Sequence, residues 1–217
     1  MSRPAACLFD LDGLLLDTEP LHARAWRQAA RHFGLELSDS ELLLLRGRRR
    51  LDCAEQVRQW IQLQQGQAPA VQELLRVRQP IAERLLVQAP AIDGAPELLQ
   101  RCSSLAIPMA LVTSSAAPSV ALKSAPHPWL EAIGVRIHGD EPALRAGKPA
   151  PDPFLLAAER LGVPAQRCWA FEDSQAGAAA AAAAGCRVVV LVPEGEDPAH
   201  FPAGSHCLRS LRQVQFG

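Results

Sequence analysis

Short apolar runs of strand length alternate with amphipathic segments over the part of the chain that follows residue 90. Each run ends in a polar or turn-forming cluster, as buried strands commonly do. Together with one run near the N-terminus, the pattern predicts strands at residues 4–9, 107–112, 135–138, 168–171, 187–192 and 206–208. Because predicted helices separate these strands, we expect a doubly wound parallel sheet of the α/β class.

Between the first two predicted strands, the apolar positions recur with the period of a helix and not with that of a strand. Apolar positions such as Ala54, Val57 and Ile61 recur at the spacing of one helix face. The pattern predicts helices at about 20–33, 38–45, 54–61 and 71–87, and no strand. We therefore predict an α/β domain formed by residues 1–15 and 90–217, with an all-helical domain inserted at residues 16–89.

Two aspartates follow the first predicted strand. Asp10 and Asp12 stand one residue apart after the apolar run, and Gly13 comes next. Residues i and i+2 of a strand share a face, so both carboxylates are expected to point the same way. The glycine permits a turn. Neighbouring carboxylates repel each other, and such a pair either raises one pKa or binds a cation.

Polar residues also end two other predicted strands, and a further group lies in a loop. They are Thr113-Ser114-Ser115, Glu172-Asp173 and Gly147-Lys148-Pro149. The carboxyl ends of parallel strands share one edge of a sheet, where ligands bind, so these groups are expected to converge with the two aspartates. Clustered acidic oxygens suit a hard cation such as Mg²⁺, and a lysine and hydroxyls beside it suit a phosphate group.

Charge and cysteine usage exclude several functional classes. The formal net charge is −1, which gives no overall basic bias towards nucleic acid. The six cysteines form no CxxC pair or local Cys/His cluster, so we expect reduced thiols and a cytoplasmic location. We expect no membrane association, because no leader-like segment precedes the first strand and no uncharged apolar run reaches the length of a bilayer span.

In their order and spacing, these motifs resemble the haloacid dehalogenase superfamily of phosphohydrolases over nearly the whole chain. They read Asp10-Leu11-Asp12-Gly13, Thr113-Ser114, Lys148-Pro149 and Glu172-Asp173-Ser174. The tract at residues 17–26 is similar to the start of the helical cap of the β-phosphoglucomutase-like phosphatase branch. The resemblance implies a Rossmann-like core, with residues 16–89 as the cap domain.

The resemblance also implies catalytic roles. Asp10 would be the nucleophile that forms an aspartyl-phosphate. Asp12 would protonate the leaving alcohol and then act as the base for water; an aspartate here is typical of phosphatases and mutases. Thr113 would hold the phosphoryl oxygens and Lys148 would neutralise their charge.

Binding roles follow from the same resemblance. Ser114, through its backbone, and Ser115 are predicted to bind the phosphoryl group of the substrate. Mg²⁺ would be held by Asp10, by the backbone carbonyl of Asp12 and by Asp173, with Glu172 close by or acting through water.

Two cap residues are candidate substrate contacts. His22 aligns with a histidine that contacts the substrate or the acid/base aspartate in the resembling branch; otherwise it is a surface residue of a helix. Arg50 ends the basic run 46–50. That run is either a solvated face, a nucleic-acid patch or a substrate loop, and we favour the substrate loop for Arg50, with Arg78 as a further candidate.

The sequence therefore predicts a monomeric, Mg²⁺-dependent phosphatase of a small phosphorylated metabolite, such as a sugar phosphate, with no nucleic-acid or membrane partner. One alternative is a phosphosugar mutase of the β-phosphoglucomutase type. Ala116 and Ala117 stand where the mutase pattern has larger polar residues, which weakens this alternative. The other alternative is a non-catalytic metabolite-binding protein on the same fold, against which the intact set of charged motif residues argues.

Overall fold

The first strand, β1 (Ala6–Phe9), lies in the middle of a six-stranded sheet. The structure is a computed structural model that describes residues 3–45 and 50–217. The remaining strands are β2 (Met109–Val112), β3 (Val135–Ile137), β4 (Cys168–Glu172), β5 (Arg187–Leu191) and β6 (His206–Leu208). Their order is β3-β2-β1-β4-β5-β6 and every neighbouring pair is parallel, which confirms the predicted doubly wound α/β fold.

Four helices form a compact unit at Thr18–Ala89. They are α1 (Glu19–His32), α2 (Asp39–Leu45), α3 (Arg50–Gln65) and α4 (Val71–Leu86). Apolar residues at helical spacing give this unit its own core, in which Trp26, Val57 and Leu74 are buried together.

The sheet belongs to a second compact unit, made of the residues up to Asp17 together with Pro90–Gly217. Its helices are α5 (Ala95–Ser104), α6 (Ala117–Ser124), α7 (Asp152–Arg160) and α8 (Gln175–Ala183). Ala6 and Leu8 of β1 pack with Phe154 of α7 and Ala178 of α8 in one buried cluster. No helix among the described residues is both long and apolar enough to cross a bilayer.

The strand register determines which residues meet at the edge of the sheet. Phe9 pairs with Leu111 of β2 on one side and with Phe171 of β4 on the other. The chain therefore leaves the sheet from three adjacent strands at one level. β2 begins two residues later than predicted, because Pro108 has no N–H to donate to the sheet.

Candidate active site

Lys148 links the ends of three strands. Its Nζ lies 2.7 Å from Oδ1 of Asp10, which directly follows β1, and 2.8 Å from the carbonyl oxygen of Val112 at the end of β2. It also donates to Glu172, the last residue of β4. All three charged side chains are at most 9% exposed, so the ammonium group is held between two buried carboxylates.

Burial and charge act in opposite directions on these groups. The pKa of Asp10 is raised to about 7: burial is the main cause, the Lys148 charge opposes it, and Glu172 and Asp12 add to it. Burial alone would lower the pKa of Lys148, but the carboxylates of Asp10 and Glu172 outweigh burial and raise it. The two carboxylates therefore hold Lys148 as a cation.

Three carboxylates could hold a metal ion here. Asp10, Glu172 and Asp173 each offer an oxygen, and these oxygens lie within 4.8 Å of one another. Only oxygen donors are present in this group, which fits a hard cation such as Mg²⁺. Burial is the main cause of the raised pKa of Asp10, with Glu172 and Asp12 adding to it, and a cation bound beside these carboxylates would favour the ionised form of Asp10.

Two glycines make room for these carboxylates. A Cβ on Gly13 would overlap the carboxylate of Asp173, and the backbone of Gly13 is left-handed at φ +85°. A Cβ on Gly177 would overlap the carboxylate of Glu172. Ser174 caps α8, since its Oγ accepts from the Gly177 N–H at 3.1 Å, and it donates to Glu172 at 3.2 Å.

Asp12 belongs to a separate cluster. Lys123 of α6 places its Nζ 2.5 and 2.6 Å from the two carboxylate oxygens of Asp12. Ser115 donates its hydroxyl to Asp12 at 2.8 Å and lies 2.9 Å from the same lysine nitrogen. The two aspartates of the first motif are thus each paired with a lysine of their own.

The three polar residues that follow β2 differ in their burial and in their hydrogen bonds. Thr113 is buried and its Oγ1 accepts from the Ser115 N–H at 3.1 Å. Ser114 is exposed, and its carbonyl lies so close to Gly139 that a Cβ there would overlap it. The hydroxyl of Ser115, a residue predicted to bind the substrate, donates to Asp12 and contacts Lys123.

The helical unit pairs two of the predicted cap residues. Arg78 donates through Nη2 towards Nδ1 of His22 at 2.9 Å and lies over the Trp26 ring, 4.6 Å from its centroid. Burial lowers the pKa of Arg78 to about 10, and its Nε has no hydrogen-bond partner within residues 3–45 and 50–217. Arg50 donates to Gln79 at 3.1 Å. The rest of the predicted basic run, residues 46–49, lies outside the described residues.

Lys123 is the site residue that the sequence analysis missed. Its helix carries no motif, and a lysine there is expected to be solvated. One signal was available, however, because Lys123 and Lys148 are the only two lysines among 22 basic residues.

Comparisons with known proteins identify the family of this chain. The family model described as haloacid dehalogenase-like hydrolase matches residues 4–185. The fructose-1-phosphate phosphatase of Escherichia coli is 33% identical over 86% of this chain and 96% of its own length. Hexitol phosphatase A of the same organism is 30% identical over 95% of this chain and 91% of its own length.

A solved structure shares the fold over almost its whole length. CbbY from Rhodobacter sphaeroides, solved as a D10N mutant in complex with xylulose-(1,5)bisphosphate, has a TM-score of 0.75 and 25% identity. The match covers 97% of this chain and 96% of that one. The chain belongs to the haloacid dehalogenase-like hydrolases, in their β-phosphoglucomutase-like branch, and is a phosphoric monoester hydrolase.

Proposed function

We propose that the protein is a Mg²⁺-dependent phosphatase that hydrolyses a small sugar phosphate through an aspartyl-phosphate intermediate. The observation that carries this proposal is the separation of the two motif aspartates. Asp10 is buried against Lys148 within a three-carboxylate group, whereas Asp12 is held by Lys123 and Ser115. Such different surroundings suit two different chemical roles.

Asp10 is the nucleophile in this proposal. Its carboxylate attacks the phosphorus atom, the bond to the leaving oxygen breaks, and an acyl phosphate forms on Asp10. Lys148 neutralises part of the charge that a phosphate brings beside a carboxylate. Thr113 and the backbone of Ser114, at the end of the adjacent strand β2, are proposed to bind the phosphoryl oxygens.

Asp12 is the general acid and then the general base in this proposal. It donates a proton to the departing alcohol, and the resulting carboxylate then takes a proton from the water that hydrolyses the acyl phosphate. The same group therefore returns to its starting state after one turnover.

Asp10, Glu172 and Asp173, with the backbone carbonyl of Asp12, are the proposed holders of Mg²⁺. Bound there, the ion would supply positive charge that reduces the repulsion between the phosphate and the carboxylates.

The substrate class is inferred from relatives and from the helical unit. Two relatives are named for fructose 1-phosphate and hexitol phosphates. We propose that residues 16–89 act as the cap domain and that His22, Arg50 and Arg78 contact the part of the substrate distant from the phosphate.

Six free thiols, five of them buried, support a reducing compartment such as the cytoplasm, where we propose a monomer.

The proposal is tested by turnover of a panel of sugar and polyol phosphates with Mg²⁺, following both free phosphate and isomerised product. We expect phosphate release, and its loss by at least about 10³-fold in Asp10→Asn, because the amide cannot act as the nucleophile. Asp93→Asn is the matched control, since Asp93 is an exposed partner of Arg212. Isomerisation that depends on a bisphosphate primer would instead establish the mutase, and binding without turnover would establish a metabolite-binding protein.

A further inference from the structure

Lys123 is a buried lysine within a helix that carries no recognised motif. Its side chain is 0% exposed, although it stands in the last turn of α6. A buried ammonium group is unfavourable unless it is paired and hydrogen-bonded. Its position therefore needs a compensating partner, and the structure provides one in Asp12.

The contacts of Lys123 fix the direction of the Asp12 carboxylate. The ammonium group reaches both carboxylate oxygens, and Ser115 holds the second of them and contacts the lysine. These groups come from the ends of β1 and β2 and from α6, so one closed set of hydrogen bonds joins three elements.

The start of α6 is anchored as well. The Ala117 N–H donates to Oδ1 of Asp140 at 2.9 Å, and the Ser115 N–H donates to Thr113 at 3.1 Å. These two hydrogen bonds fix the start of α6 and the turn before it, and α6 in turn positions Lys123 beside Asp12.

The choice of lysine at this position is also informative. The chain uses arginine at 20 of its 22 basic positions and lysine at two. Both lysine side chains are at most 6% exposed, and each is paired with one aspartate of the first motif. Lysine offers a compact point charge, whereas the planar guanidinium of arginine requires a wider, forked site. Lysine is thus used where a small cation must fit beside a catalytic carboxylate.

We propose that Lys123 is a positioning residue, which together with Ser115 holds the Asp12 carboxylate in the orientation needed for proton transfer without touching the substrate. This inference rests on the proposed role of Asp12 as the acid and base of the phosphatase. It assigns to α6 a part in the reaction, in addition to the four motifs.

The kinetic test is Lys123→Met, which retains an unbranched side chain and removes the charge. We expect kcat on an alkyl phosphate to fall by about 10²-fold, because misplacing a catalytic group by about 1 Å costs this much. KM should stay within about twofold, since Lys123 does not bind the substrate. The loss should be smaller with p-nitrophenyl phosphate, whose leaving group needs little protonation.

Arg101→Met is the matched control. Arg101 is also a partly buried cation in the last turn of a helix of the same unit, but it donates to the carbonyl of Val214. We expect it to change stability without changing kcat or the dependence on the leaving group. An unchanged kcat in folded Lys123→Met, or equal losses on both esters, would contradict the proposal.

A second test does not depend on activity. Protein labelled with ¹³C-lysine contains only two lysine side chains, so the two sets of ε-methylene NMR signals can be assigned by substitution. Asp12→Asn should shift the Lys123 signal and leave that of Lys148 in place, and Asp10→Asn should do the reverse. A Lys123 signal that Asp12→Asn leaves unchanged would overturn the pairing.

The two proposals can fail separately. If Asp12→Asn retains full activity, the proposed role of Asp12 is wrong, whatever Lys123 does. If Asp12→Asn is inactive while folded Lys123→Met is fully active, the phosphatase mechanism stands and the positioning role is wrong.

Discussion

At the residue scale, the site depends on small residues as much as on charged ones. Gly13 has a left-handed backbone and lies against the carboxylate of Asp173. A side chain at this position therefore meets two separate obstacles. One is the backbone cost of the left-handed conformation, and the other is overlap with a candidate metal ligand.

These two effects can be separated with a pair of alanine variants. Gly204 has the same φ of +85° as Gly13, but a Cβ added to it would have no neighbouring atom within 4 Å. Gly13→Ala and Gly204→Ala should both lose about 1–2 kcal/mol of stability from the backbone conformation. Only Gly13→Ala should also lose Mg²⁺ affinity, by at least about tenfold, because Asp173 must move. Isothermal titration with Mg²⁺ measures the difference, and equal affinities in the two variants would contradict it.

The charged residues differ in how far the sequence alone could identify them. Asp10 and Glu172 follow from strand-end positions, because a parallel sheet brings its carboxyl ends to one edge. Lys148 lies in a loop, and the family motif indicates it. Lys123 could not be found this way, since it stands ten residues beyond Thr113 on a helix with weak apolar periodicity. The contact between Arg78 and His22 likewise joins residues 56 positions apart on two helices, and no local pattern reports such a pairing.

At the element scale, the run of alanines at residues 178–184, most of which lies in α8, is explained by close packing against the sheet. Ala178, Ala180 and Ala181 of this helix are fully buried against the sheet cluster, whereas Ala182 and Ala183 are exposed. Small side chains let the helix approach β4 and β5 closely. The alanine-rich composition predicts a helix packed against a sheet, and its type, position and Ser174 cap can all be derived locally.

We expect Ala181→Leu to reduce the free energy of unfolding by about 1–3 kcal/mol, because added methylenes overpack a filled core. Ala182→Leu is the control in the same helix, and its effect should stay within about 0.5 kcal/mol. Urea denaturation of both variants measures the difference. A similar effect for the two would mean that the face of α8 against the sheet is not closely packed.

In the helical unit, the positions of the helices can be predicted from the sequence, but the contacts between them cannot. The apolar period placed α1, α3 and α4, because each buries one face in a shared core. The choice of contacts within that core depends on tertiary packing, so the burial of Arg78 over Trp26 had no counterpart in the sequence pattern.

At the scale of the whole molecule, the proposed metal site would link protonation to stability. Mg²⁺ bound there would need the ionised form of Asp10, whose pKa is raised to about 7, chiefly by burial. Below that pH a proton competes for the carboxylate and weakens binding, and above it the competition ends. Binding to the folded state alone stabilises it, so the Mg²⁺-dependent stabilisation should grow as the pH rises through 7.

At a Mg²⁺ concentration of about 100 Kd at pH 8, we expect a stabilisation of about 2.7 kcal/mol, falling to about 1.4 kcal/mol at pH 6, where affinity is about tenfold lower. Thermal unfolding with Mg²⁺ and with EDTA at the two pH values measures this difference. Asp10→Asn has no carboxylate to titrate and should lose the pH dependence. A stabilisation that is equal at both pH values in the unmodified protein would contradict the assignment of Asp10 as a metal ligand.

The central position of β1 has a consequence for how the protein is made. Phe9 pairs with Phe171, 162 positions further along the chain. At translation rates of about 5–20 residues per second, the nascent β1 waits on the order of 10–30 seconds for that neighbour to be synthesised. During this interval an apolar strand has one edge without its final partner, and Asp10, the proposed nucleophile, does not yet have Glu172 and Asp173 beside it. The active site is therefore assembled late in synthesis, after most of the chain has left the ribosome.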